Sequence, residues 1–111
     1  MVIYFRNQKL AEKCCNEKVM KKVWGERMAK KLQQRLFELK AADSLADITH
    51  LPPPRLHELT GNRKGQYSID LIHPFRLIFI IADELPVTTD SVGIDRRQVK
   101  AIEIIAIEDT H

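Results

Sequence analysis

The chain has 111 residues and a mass of 12.9 kDa, with 44% apolar and 30% charged residues. That is the balance of a single globular domain, 1–111, able to build a core without staples or metal, and it excludes a disordered chain, a collagen-like chain and a repeat array. The net charge of +3 conceals an asymmetry: residues 1–40 carry eleven Lys/Arg against four Asp/Glu, a net of +7, and residues 41–111 carry seven against eleven, a net of −4.

Met1–Phe5 runs straight into Arg6, Asn7 and Gln8, so no secretory leader is expected. Val2–Phe5 reads as a short strand, and Asn7 as the cap of a helix beginning at Gln8. Leu10, Ala11, Cys14 and Cys15 recur there at helical spacing. Neighbouring cysteines make a strained bridge, so both are expected reduced, as in the cytoplasm, with at least one on a buried helix face. In a second helix, Trp24, Met28, Leu32, Leu36 and Leu39 recur at four, four, four and three residues, the stripe of a core-facing helix. Gly25 leaves the boundary between the two helices open. Lys18, Lys21, Lys22, Lys30 and Lys31 are expected on the solvent side, either as a footprint for nucleic-acid phosphates or as an ordinary solvated face.

Asp43 and Ser44 are cap candidates for a helical turn through Ile48. Leu51-Pro52-Pro53-Pro54 forbids regular structure and separates the helical part from the strand-rich remainder. Strands are predicted there at Arg55–Leu59, Tyr67–Ile72, Phe75–Ala82 and Lys100–Ile107, with a glycine-bracketed loop at Thr60–Gly65 and a turn at His73-Pro74. Phe75, Leu77, Phe79 and Ile81 share one strand face, and Arg76, Ile78, Ile80 and Ala82 the other. Leu77–Ala82, the longest apolar run at six residues, is too short for a membrane span. Asp83–Gln98 is a long polar connection, expected mobile. The predicted architecture is α+β: two N-terminal helices packed on one face of a mostly antiparallel sheet.

Two histidines and several arginines fall on or just beyond strand ends: His57, Arg63, Arg76 and, after the last strand, Asp109-Thr110-His111. That collection suits RNA cleavage, because RNA carries its own nucleophile in the 2′-hydroxyl. Histidine serves both proton transfers near neutral pH, and arginine's planar fork holds phosphate oxygens. No metal or other cofactor is called for. Taken singly, His57 also reads as a solvent-facing strand histidine, Arg63 and Lys64 as solvated loop charges, and His111 as a frayed end. Arg76 is harder to set aside, since a charge within so apolar a strand is costly unless paired or at an edge; Asp70 and Glu103 are the available partners. His50 and His73 flank turns and read as structural.

Arg55-Leu56-His57-x-Leu59, Gly61-Asn62-Arg63-Lys64-Gly65-x-Tyr67-Ser68-Ile69, Phe75-Arg76-Leu77-Ile78-Phe79 and the ending Glu108-Asp109-Thr110-His111 together resemble the HigB-type "plasmid maintenance killer" toxins of the RelE/ParE superfamily. The resemblance spans almost the whole chain. It implies a compact microbial-ribonuclease-like fold and a type II toxin that cuts messenger RNA on the ribosome without metal. It also implies neutralisation by a helix-turn-helix antitoxin of the HigA kind. By position, His57, Arg76, Asp109 and His111 are the implied catalytic residues and Arg63 a phosphate ligand, with Lys64, Lys21, Lys22 and Lys30 as further candidate RNA contacts. The family often has lysine at Thr60, tyrosine at Thr110 and tryptophan at Phe75. Two alternatives remain: a ParE-like inhibitor that binds DNA gyrase without catalysis, and a degenerate relative that binds RNA or protein without cleaving.

Overall fold

The structure, a computed structural model, describes residues 1–84 and 93–109. Strand β1 (Val2–Phe5) leads into helices α1 (Gln8–Cys15), α2 (Glu17–Trp24) and α3 (Glu26–Ala41). Strands β2 (His57–Glu58), β3 (Gln66–Asp70), β4 (Phe75–Ile81) and β5 (Ala101–Asp109) come after them. The sheet order is β1-β5-β4-β3-β2, antiparallel except for the parallel β1–β5 pair. This is the expected α+β layer arrangement, with the helical layer in three pieces rather than two.

The extra break has a local cause. Asn16 ends α1 and caps α2, its side-chain oxygen accepting from the Lys18 and Val19 N–H groups. Gly25 then separates α2 from α3 at φ 85°, a conformation that favours glycine. Trp24 therefore closes α2 instead of opening the long stripe. Asn7 caps α1 as predicted, accepting from the Leu10 N–H at 2.8 Å. Of the two cysteines, Cys14 is buried and Cys15 exposed, both as free thiols. Burial pushes the Cys14 thiol up to about 12, with the neighbouring Cys15 adding to the rise and Lys13 opposing it.

Met28, Leu32 and Leu39 of α3 pack with Tyr67, Ile69, Leu77, Phe79, Ile102 and Ile104 into one core between helices and sheet. Tyr67 stacks on Phe79 with ring centroids 5.9 Å apart. Among the described residues, the opposite sheet face carries no helix. Its residues form rows across the strands: Asp70, Arg76 and Glu108; then His57, Ser68, Ile78 and Ala106; then Gln66, Ile80, Glu103 and Tyr4.

A register shift beside Ile78/Phe79 creates these rows. Phe79 pairs with Ile104 and Ile78 with Ala106, which leaves Ile105 as an extra residue in β5. Such a bulge inverts the alternation beyond it. Ile107 then packs against the core and Glu108 joins Arg76 on the open face.

The turn at Leu45–Asp47 forms where expected. The Asp83–Gln98 connection falls partly outside the described residues. At its near end, Asp83 accepts from the Lys100 and Ala101 N–H groups; at its far end, Asp95 caps a turn at Arg96–Gln98. Among the described residues, no helix is long and apolar enough to cross a membrane.

Candidate active site

His57 lies on an edge strand, is exposed, and stands opposite Ser68. Two strands further in, Arg76 stands in the row next to His57's, because positions 76 and 78 of β4 share the open face. His57 and Arg76 line one open hollow of about 450 Å³, together with His50, Arg55 and Leu56. Arg55 and Arg76 also line a smaller hollow of about 260 Å³ with Asp70, Leu71, His73 and Phe75. The two arginines thus stand between two adjoining hollows.

Asp70 joins them. Its Oδ2 lies 2.8 Å from Arg55 Nε, and its Oδ1 lies 3.3 Å from Arg76 Nε, the latter an ion contact without hydrogen-bond alignment. Of the two partners available to Arg76 in the sequence, it is therefore Asp70 that meets it; Glu103 pairs with Arg6 instead. The Asp70 backbone is held from both sides. Its N–H donates to Pro54 O at 2.7 Å, and its carbonyl accepts from Arg35 Nε at 2.8 Å. Arg35 reaches up from α3, is 2% exposed, and donates from Nη1 to Glu38 Oε1 at 2.8 Å.

Arg63 is on the same face but already engaged. Its Nε and Nη2 donate to Gln66 Oε1, and Nη2 forms an ion pair with Glu108. Gln66 is on β3 and Glu108 on β5, so the Arg63 side chain crosses above β4. Ile78, in the row between those of Gln66 and Glu108, is fully buried.

The other sequence candidates lie elsewhere. Lys64 is exposed beside a separate hollow formed with Glu58, Leu59, Thr60 and Gly61. Asp109 pairs in register with Phe75 at the end of β5, and the bulge places Glu108 in the row of Arg76. Lys21, Lys22 and Lys30 are exposed on α2 and α3, in the layer that covers the opposite sheet face, and are not brought together with His57. Thr110 and His111 lie outside the described residues.

Three participants escape the sequence patterns. His50 reads as structural beside its turn, yet it lines the larger hollow. Arg55 precedes His57 by two residues, a spacing that hints at a shared face. Asp70 suggests itself in the sequence only as a structural partner of Arg76. Chemically, the arrangement offers an imidazole that can take a proton beside two fixed cations that can hold an anion.

No family model matches the chain, and the comparison with curated proteins found no match. Among solved structures, the chain is similar to a YoeB/ParE toxin from Agrobacterium tumefaciens, with a TM-score of 0.59, 11% sequence identity and coverage of 100% of both chains. The likeness at that identity is one of architecture: the helices and five-stranded sheet have the YoeB/ParE toxin fold.

Proposed function

We propose that the protein is a toxin of a type II toxin–antitoxin pair, of the HigB kind, acting as a metal-independent endoribonuclease on ribosome-bound messenger RNA. The observation that carries this reading is the meeting of His57, Arg55 and Arg76 around one solvent-open hollow on the face the helices leave bare. The fold shared with a YoeB/ParE toxin and the motif resemblance support the same class.

In this reading, RNA lies across the open face with the scissile phosphate beside Arg76. His57 removes the proton of the 2′-hydroxyl, and the 2′-oxygen bonds to phosphorus. The bond from phosphorus to the 5′-oxygen breaks, and that oxygen takes a proton from His111. The products are a 2′,3′-cyclic phosphate and a 5′-hydroxyl. Arg76 stabilises the charge gathered on the phosphate, from a position set by its apolar strand before substrate arrives. The partner is a helix-turn-helix antitoxin of the HigA kind.

Primer extension on messenger RNA from cells expressing the protein tests this. New 5′ ends within translated regions are expected, and His57→Ala is expected to abolish them while preserving the melting temperature. Growth arrest with intact messages and inhibited DNA gyrase would replace this reading with the ParE-like one.

A further inference from the structure

We propose that Arg55 forms a second phosphate subsite, which takes the backbone phosphate next to the scissile one, and that Asp70 is the positioning residue holding Arg55 and Arg76 at the required separation. This rests on the reading of the open face as an RNA site and extends it to residues with no role so far.

A carboxylate serving only to offset a strand arginine needs one partner, and Asp70 has two, Arg55 and Arg76. The two arginines divide two adjoining hollows and line both. Adjacent phosphodiesters, one in each hollow, place anionic oxygens against the two guanidinium groups.

Arg35 sits 2% exposed beneath the sheet and donates to the Asp70 carbonyl, while Pro54 O accepts the Asp70 N–H. Burying a guanidinium is costly unless its hydrogen bonds are made, and here one of them fixes the backbone that carries the fork. The carboxylate therefore emerges on the open face from a strand end held from both sides.

The backbone at Arg55 is itself unusual. Arg55 has φ 49°, the only positive value at a non-glycine among the described residues. A non-glycine residue there is uncommon and stores a small strain, a feature that clusters at functional sites. Its side chain remains 47% exposed, so an incoming anion can reach it.

The test is binding of a short single-stranded RNA made non-cleavable by 2′-O-methylation, titrated across a salt series. The intact protein, Arg55→Ala, Arg55→Lys and Asp70→Asn are compared, each checked by thermal melting. Arg55→Ala is expected to bind about tenfold more weakly and to lower the log–log salt slope by about 0.7, one single-strand phosphate contact. Arg55→Lys keeps the salt slope but recovers only part of the affinity, since a point charge cannot replace the fork.

Asp70→Asn is the decisive variant, because the two views predict opposite signs. Removing a negative charge tightens binding if Asp70 merely offsets the arginines. It weakens binding if Asp70 positions them. Tighter binding by Asp70→Asn, or an unchanged slope in Arg55→Ala, overturns the proposal and leaves the nuclease reading standing. Absence of RNA binding by the intact protein overturns the proposal too. Weakened binding in both variants, from an intact protein that makes no breaks in messenger RNA, sustains the subsite and removes the nuclease reading.

Discussion

Replacing Arg76 with alanine separates a catalytic from a structural role, because the structure assigns the two different magnitudes. Stranding a buried charge by deleting its partner costs about 3–5 kcal/mol. Asp70 is not stranded in Arg76→Ala: Arg55 Nε remains 2.8 Å from Oδ2, and Asp70's side chain is 28% exposed. The loss at Asp70 is then that of one partly solvated pair and some stem packing, about 1–2 kcal/mol. For a domain of this size, that lowers the melting temperature by about 5–10 °C. Removing a donor aimed at developing charge costs about a hundred- to a thousandfold in rate. Arg76→Ala is therefore expected to remain folded and to bind its antitoxin, while message cleavage falls by at least about a hundredfold. Arg76→Lys restores only part of that activity. Primer extension with a quantified time course reads the rate, and a thermal melt of the same preparation reads the fold. Cleavage within about tenfold of the parent, or a melting drop far beyond about 10 °C with loss of folded protein, would refute the reasoning.

Arg35→Met removes the strut beneath Asp70 and is expected to cost about 2–4 kcal/mol by urea unfolding, since it leaves a carbonyl short of a charged donor; a change under about 0.5 kcal/mol, the size of an ordinary surface substitution, would contradict the role assigned to its 2.8 Å contacts. A thiol reagent at mildly alkaline pH should modify exposed Cys15 rapidly and Cys14 only after unfolding, and two rapidly reacting thiols in the native protein would be inconsistent with the burial of Cys14. Cys14 keeps its proton to about 12 in the folded chain against an ordinary value of 9.0, so the folded state binds more protons between those values. Stability is expected to fall as pH rises from 9.0 through about 12, and Cys14→Ala should flatten that part of the profile. Charge reversal at Lys21, Lys22 and Lys30 should weaken ribosome association and reduce its salt slope, with the smallest share from Lys21, whose Nζ already lies 3.0 Å from Glu17; an unchanged slope would make these lysines an ordinary solvated face.

Much of the layer structure was legible in the residues because local chemistry dictates it. Asn7 caps α1, and Leu77 and Phe79 alternate with Arg76 and Ile78, so β4 divides cleanly into two faces. The remainder depended on contacts between residues far apart in the chain. Strict alternation along Ala101–Asp109 puts Glu103 and Glu108 on opposite faces, and only pairing with β4 makes the bulge at Ile105 that brings both to the open face and Glu108 to Arg63. Nor does periodicity link Arg35 on α3 to Asp70 at the end of β3, or Asp70 to both Arg55 and Arg76. Helix caps and strand faces are set within a few residues of backbone, whereas register shifts and charge pairing across strands arise only when the sheet closes on the helices. The sequence alone determined which residues form the two layers; the assembled sheet decided which charges meet on its open face.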